Sequence, residues 1–292
     1  MKFNFIFDHK LEFSVTVMCR IFSVSKSGYH LWCNRSAERD KKATAELALV
    51  RTIEDIHTGS RKVYGSPKIA ALMAGLPQKC SRTKVARLMK KYGLRSRTKK
   101  AFRKTTDSNH SLKLAPNHLG QDFRAYHPNQ LWAGDITYIK TSQGILYLAT
   151  VIDLYSRKIV GWRMDSHMHR SLIMDAFESA CAKERPEKNF IFHSDKGSQY
   201  ASGDFRKLLL KHSCIQSISS TGNCWDNSMA ESFFASLKKE LVYLERFKDR
   251  SHAERRIFEW IEIEYNRERP HSSLGYLSPI KFEEVHFMKK AA

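Results

Sequence analysis

The chain has 292 residues, with 50 Lys/Arg against 30 Asp/Glu and a formal charge of +20. That length holds a core-forming domain of ordinary size plus smaller units. No apolar stretch approaches the roughly 18 residues of a membrane-spanning helix, so a membrane protein is excluded as an expectation. The charge is lopsided. Residues 1–125 carry 26 Lys/Arg and 9 Asp/Glu, a net of +17, whereas residues 126–292 carry a net of +3. A basic front half joined to a nearly neutral back half predicts a polyanion-gripping region attached to something else.

At the N-terminus, Met1 to Phe7 is apolar, but Asp8 and Lys10 end the run too early for a signal peptide. None of Cys19, Cys33, Cys80, Cys181, Cys214 and Cys224 forms a Cys-x-x-Cys pair. Reduced thiols in a cytosolic protein are expected. His9, His30 and His57 do not combine with Cys19 and Cys33 in the short paired spacings of structural zinc, so no zinc site is expected.

Residues 12–33 read as helix, polar turn, helix. Val15, Cys19 and Phe22 recur at helical spacing, Ser23 to Gly28 turns, and Tyr29 to Trp32 starts again. Glu46 to His57 follows as an amphipathic helix with the stripe Leu47, Val50, Ile53 and Ile56. Ser66 is expected to cap a helix over Lys68–Met73, with Pro67 in its first turn. Ser81 is expected to cap a third helix, Thr83–Tyr92, which Gly93 ends. That helix sets Arg82, Lys84, Arg87, Lys90 and Lys91 beside Val85, Leu88 and Met89. One basic and one apolar face fit a helix laid against DNA; the alternative is an amphipathic helix with a solvated basic side. The organisation expected is a helix-turn-helix-like segment over 1–45, a helix-turn-helix DNA-binding domain over 46–100, a basic linker over 101–125 and a larger domain over 126–292.

The back half alternates. Leu131–Ile139, Ile145–Asp153 and Ile159–Met164 read as three strands with short turns. Ser171–Lys183 is a helix, Phe190–His193 a fourth strand, Ser202–His212 a helix and Ile215–Ile218 a fifth strand. Ser228–Leu241 and Ser251–Arg267 are further helices. Three meandering strands followed by helix–strand units predict an α/β fold with a mixed five-stranded sheet flanked by helices.

Three carboxylates stand out. Asp135 shares a strand face with Leu131 and Ile139, where an unpaired carboxylate is costly, so it needs a cation or a salt-bridge partner. Asp195 ends the fourth strand in His193-Ser-Asp-Lys-Gly197-Ser-Gln199, where Gly197 allows a tight turn and close approach to a phosphate. An ordinary strand-end turn is the alternative. Glu231 follows Asp195 with 35 residues between them. Ser228-Met-Ala-Glu231 is also a capping box, a competing role for that glutamate. Lys238 lies two turns beyond Glu231 on the same helix face. Three carboxylates from separate elements can hold two Mg²⁺ ions for phosphoryl transfer.

These strings together resemble the transposases of bacterial insertion sequences with a retroviral-integrase-like core, most closely the second-reading-frame protein of the insertion-sequence-three family. The matching runs are Trp132-Ala-Gly-Asp135-Ile-Thr-Tyr138, Val151-Ile-Asp153-Leu-Tyr-Ser156-Arg157, His193-Ser-Asp195-Lys-Gly-Ser-Gln-Tyr200, Asn223-Cys-Trp-Asp-Asn227-Ser-Met-Ala-Glu231 and Tyr265-Asn-Arg-Glu-Arg-Pro270-His271. The spacing from Asp195 to Glu231 and the basic residue at Lys238 are also the family's. Tyr64-Gly-Ser-Pro67 resembles its helix-turn-helix segment.

The resemblance implies a ribonuclease-H-like fold, an integrase-type catalytic core over 126–292, and two Mg²⁺ or Mn²⁺ ions on Asp135, Asp195 and Glu231. It implies cutting and joining of terminal inverted repeats and target DNA in the bacterial cytoplasm, at the nucleoid, by a homo-oligomer assembled on DNA. Lys238, Asn227, Arg82, Lys84, Arg87, Lys90 and Lys91 become DNA-contact candidates. Family members are often fused by frameshifting to a first-frame product bearing a leucine zipper. No sustained heptad occurs here, so this polypeptide alone is expected to be incomplete as a transposase. Two rivals remain: a DNA-binding regulator without catalysis, and a structure-specific nuclease on the same fold.

Overall fold

The computed structural model describes residues 1–97, 115–120, 122–219 and 228–291. It divides into two compact units, Met1–Ser96 and Arg97–Ala292.

The first unit is helical: α1 (Lys2–Asp8), α2 (Val15–Ile21), α3 (Lys26–Asn34), α4 (Ser36–Gly59), α5 (Ser66–Met73) and α6 (Arg82–Lys91). The apolar N-terminal run, given no element from sequence, is helix α1, whose Ile6 packs with Met18, Cys19 and Tyr29. The expected turn through Gly28 is shorter, because α3 starts at Lys26. Ser25 Oγ accepts the Gly28 N–H at 3.0 Å, and a Cβ on Gly28 would lie 2.7 Å from that oxygen. Glycine is thus what lets Ser25 cap the helix.

Helix α4 begins ten residues before the expected Glu46. Its extra turns are rich in Ala, Lys, Arg and Glu, good helix formers without an apolar stripe to reveal them. Val50 and Ile53 pack against Ile69, Met73, Val85, Leu88 and Met89, while Leu47 is half exposed. The cap of α5 lies one residue earlier than expected. Gly65 is the extended N-cap whose carbonyl accepts the Ile69 N–H, and Ser66 is already helical. Ser81 caps α6 as anticipated, accepting the Lys84 N–H at 3.3 Å.

The second unit carries β1 (Leu131–Thr141), β2 (Gly144–Asp153), β3 (Ile159–Asp165), α7 (Arg170–Glu184), β4 (Ile191–Ser194), α8 (Gly203–Lys211) and β5 (Ile215–Ile218). Helix α9 (Ser228–Leu237) runs into π-helical Lys238–Val242, and α10 (Arg250–Glu259) runs into π-helical Trp260–Glu268. A C-terminal helix, α11 (Pro279–Ala291), was not expected. The sheet order is β3-β2-β1-β4-β5, antiparallel through β3, β2 and β1 and parallel through β1, β4 and β5. This is a ribonuclease-H-like mixed sheet.

Both faces are covered, so alternate residues of one strand enter different cores. Leu131, Ala133 and Ile139 pack with Phe233, Phe234, Leu237 and Trp260 from α9 and the α10 segment. Trp132 packs on the other face with Phe177 of α7 and Phe205 of α8. The end of the expected linker belongs to this unit. Leu119 is buried in the first of these cores, and the His118 N–H donates to Ser217 Oγ at 3.0 Å. Among the described residues, no helix is long and apolar enough to cross a membrane.

Helix α7 lies directly on the sheet at Gly161. A Cβ there would stand 2.3 Å from the Ala176 carbonyl oxygen and 2.6 Å from the Ala180 Cβ. Backbone cannot yield as a side-chain tip can. Gly161→Ala is therefore expected to destabilise this unit by about 1–3 kcal/mol or more, as overpacking does. Chemical denaturation checks this, and an unchanged midpoint would contradict the close approach.

Candidate active site

Strands β1 and β4 pair in parallel from Leu131↔Ile191 to Gly134↔Ser194. The residue that follows each is an aspartate, Asp135 within β1 and Asp195 just past the end of β4, so the register brings the two carboxylates within electrostatic reach of each other. The approach of β4 is fitted to β1, since a Cβ on Gly134 would stand 2.3 Å from Phe192 Cζ. Asp135 lies on the face that packs against α9, the helix that carries Glu231 in its first turn. Asp135 and Asp195 are half-buried and Glu231 is exposed.

Local bonds hold the aspartates. The Ile136 N–H donates to Asp135 Oδ1 at 2.7 Å. The Gly197 N–H donates to Asp195 Oδ1 at 2.9 Å. Gly197 leaves this turn tight: a Cβ there would lie 3.0 Å from Asp195 Oδ1.

Electrostatics ties the group together. Burial first, then the Asp195 charge, push the Asp135 carboxyl up to about 8. Glu231 adds to the push, while the Ile136 N–H and Lys238 oppose it. Burial holds the Lys238 ammonium below its ordinary value, and Asp135 pulls it part of the way back. Lys238 Nζ sits 5.4 Å from the centre of the Tyr138 ring, three residues along β1 from Asp135. The lysine thus lies over the Tyr138 ring, within electrostatic reach of Asp135.

The buried Tyr200 was not singled out as a site residue, yet it belongs to the neighbourhood. Burial, then Asp135 and Asp195, raise its phenol well above the ordinary value. It closes the run that begins at His193, and no spacing rule marks it. Asp153 is a different case. Its carboxylate accepts from the Ser156 N–H and hydroxyl at 2.9 and 2.7 Å and from the Asn129 N–H at 3.0 Å. It organises the turn after β2.

The three carboxylates are neighbours without forming a closed cage. Among the described residues, no three His, Cys, Asp or Glu side chains are gathered tightly enough to hold a metal ion as they stand. Mutual repulsion of like charges favours that separation. Helix α9 is described from Ser228 and carries Glu231 in its first turn, so the helix-cap role for that glutamate stays beside the metal-ligand one. Asn227 lies outside the described residues. A cavity of about 750 Å³ lies to one side, bordered by Phe123, Tyr155, Arg157, Met229 and Phe282, and none of the three carboxylates lines it.

On the helical unit, Arg82, Lys84, Arg87 and Lys90 are exposed along α6. Lys91 differs, because its ammonium is drawn to Glu46 of α4, which also accepts from the Tyr92 hydroxyl at 3.2 Å. The basic surface of α6 is therefore centred on the other four.

The raised Asp135 carboxyl fixes a pH effect. The native chain keeps a proton that the unfolded chain has released, between the ordinary value of 3.8 and about 8. Stability contributed at this residue therefore falls as pH rises through that window. Asp135→Asn should melt a few degrees above the parent in chelator at pH 8 and close to it at pH 4. Calorimetry across that range checks this, and a lower melting point at pH 8 would refute the crowding.

Three family profiles match. The integrase core domain matches residues 125–224 and, in a second form, 212–279, and an HTH-like domain matches residues 44–102. The transposase InsF of insertion sequence IS3A from Escherichia coli K12 is 38% identical over 283 residues, covering 97% of this chain and 98% of that protein. A 31 kDa protein of insertion element IS600 from Shigella sonnei is 40% identical over 274 residues, covering 94% of this chain and all of that protein. Among solved structures, a simian T-cell lymphotropic virus intasome chain overlaps with a TM-score of 0.46 at 15% identity, over 79% of this chain and 74% of its own. The HTLV-2 integrase catalytic core domain, solved with magnesium, overlaps with a TM-score of 0.43 at 15% identity, over 55% and 99%. With near-complete coverage by the IS3 protein, this chain belongs to the insertion-sequence-three family of transposases, enzymes that cut and join DNA.

Proposed function

We propose that the chain cuts and joins DNA at insertion-sequence ends through a two-metal site on Asp135, Asp195 and Glu231. The observation that carries this is the register: two aspartates one rung beyond the last β1–β4 pair, beneath the helix that bears Glu231. The donor set is oxygen only and negatively charged, as Mg²⁺ or Mn²⁺ requires, and the lifted Asp135 carboxyl marks a place where added positive charge is favourable. Bound divalent cations supply activation of a water or 3′-hydroxyl and stabilisation of the leaving 3′-oxygen.

The chain's own groups do the rest. Asp135 and Asp195 present adjacent carboxylates from the rigid centre of the sheet. Glu231 faces them from α9 and is open to solvent, where a DNA backbone can reach. Lys238, leaning over Tyr138, offers an ammonium to a phosphate at the same place. An in-line displacement there needs no covalent link between protein and DNA. The exposed Arg82, Lys84, Arg87 and Lys90 of α6 would grip the terminal repeats, with DNA affinity residing mainly in residues 1–125 and the chemistry in residues 126–292. We also assign assembly of several copies on DNA, with a first-frame product as a fusion partner, to the working enzyme.

The test is cleavage of end-containing DNA in Mn²⁺ beside a binding assay. Asp135→Asn, Asp195→Asn and Glu231→Gln should each lower cleavage by orders of magnitude and leave DNA affinity near parental. Arg87→Gln with Lys90→Gln should do the reverse, weakening binding and reducing its log–log salt slope by about one per lost phosphate contact. A Glu231→Gln chain that cuts normally would remove that glutamate from the site.

A further inference from the structure

The helix that carries Glu231 and Lys238 is gripped from behind by one short segment, and that segment is also fixed to the sheet. Arg269 follows the second π-helical stretch. Its Nε donates to Glu240 Oε2 at 2.9 Å, and its Nη2 donates to Glu240 Oε1 at 2.8 Å and to Ser236 Oγ at 3.0 Å. The two side chains of the ion pair are only 11% and 10% exposed. Tyr265 packs edge-on against Phe233, with ring centroids 4.8 Å apart. Phe233 and Ser236 fall at i and i+3 on one stripe of α9, and Glu240 lies in the π-helical stretch that continues it. At about 100° per residue, Phe233 and Ser236 lie roughly 140–200° round the helix from Glu231. The grip is therefore on the far side from the carboxylate.

The same segment holds the sheet through Asn266. Its Oδ1 accepts the Ile159 N–H at 2.9 Å, and its Nδ2 donates to the Ile159 carbonyl at 3.0 Å. This is a two-point bond to the backbone of edge strand β3. Tyr265, Asn266 and Arg269 thus connect the sheet that presents Asp135 to the helix that presents Glu231. The helix passes from α to π at Lys238, between Glu231 and Glu240, so its axial register is not set by an unbroken α repeat. An external reference is needed there.

We propose that Arg269, through its bidentate pair with Glu240, is a positioning residue that sets the register and depth of the helix bearing Glu231 and Lys238. A planar guanidinium fork fixes a carboxylate in two directions, which a lysine ammonium cannot do. The inference rests on the acidic-triad reading.

The test uses the full chain with Arg269→Lys, which keeps the charge and loses the fork, and Glu231→Gln as reference. Mn²⁺ affinity is read by paramagnetic resonance titration without DNA, next to end cleavage and thermal melting. Arg269→Lys is expected to weaken Mn²⁺ binding and cleavage by about 10–100-fold, the range for residues that orient metal-binding groups. Melting should stay near parental, and DNA affinity should be unchanged. If Arg269→Lys fails to fold, Ser236→Ala removes one guanidinium bond and keeps the ion pair; a smaller loss in the same two readouts is then expected. Parental Mn²⁺ affinity and cleavage in the folded variant overturn the proposal. So does a loss of cleavage that only tracks the fraction unfolded. Normal Mn²⁺ binding and cleavage in Glu231→Gln would instead sink the triad itself, whereas a dead Glu231→Gln beside a normal Arg269→Lys sinks only the clamp.

Discussion

Like charges crowded into a half-buried place set the terms for the catalytic unit. Asp135 cannot leave the centre of β1, and Asp195 follows the last residue of the strand paired to it. Burial, reinforced by their repulsion, lifts one carboxyl to about 8. A fold left to stability alone would replace them with apolar or neutral groups. Keeping them requires a scaffold stiff enough that the sheet does not relax and part the strands. Both faces of the sheet are therefore sealed, with Trp132 packed at one side and Leu131 and Ala133 at the other.

The stiffness is local and can be traced to particular close approaches. Gly134 lets Phe192 pack directly on β1, and Gly161 lets α7 rest on the sheet backbone. Asn266 closes part of the free edge of β3. A half-buried lysine, Lys158, bridges Glu184 at the end of α7 and Glu283 on α11 at 2.9 and 2.8 Å, drawing both helices to the turn before β3. Buried ion pairs of this kind fix geometry more than they add stability, because desolvation offsets much of their attraction. Only Glu231 stands on a separate element that is exposed, the arrangement that leaves one side of the site open.

Much of this was legible in the chain itself. The five strands followed from apolar runs bounded by turns, and β5 agreed with its expected range to the residue. Asp135 was visible because a carboxylate in the middle of an apolar strand breaks the pattern. What was not legible has physical reasons. Helix α1 and the first turns of α4 lack a periodic stripe, so only tertiary packing or propensity forms them. Helix α11 follows a tight turn through Gly275, with φ +62°, and the sequence reading assigned it no element. The cap of α5 shifted by one residue to Gly65, where backbone conformation rather than side-chain type decides. Tyr200, Glu240 and Arg269 were missed because their partners lie across the fold. The pairing of Arg269 with Glu240 spans 29 residues and two π-helical stretches, which no local periodicity encodes.

The central claim is that Asp135 is held in a like-charged neighbourhood that a divalent cation relieves. Carbon-detected nuclear magnetic resonance of aspartate carboxyls, titrated with and without Mg²⁺, tests it most directly. In chelator, one carboxyl, lost in Asp135→Asn, should titrate near 8, and its midpoint should fall when Asp195 is replaced by Asn. Saturating Mg²⁺ should bring it down into the ordinary carboxylate range. An Asp135 carboxyl that titrates in that range without metal, or that ignores Mg²⁺, would contradict the account.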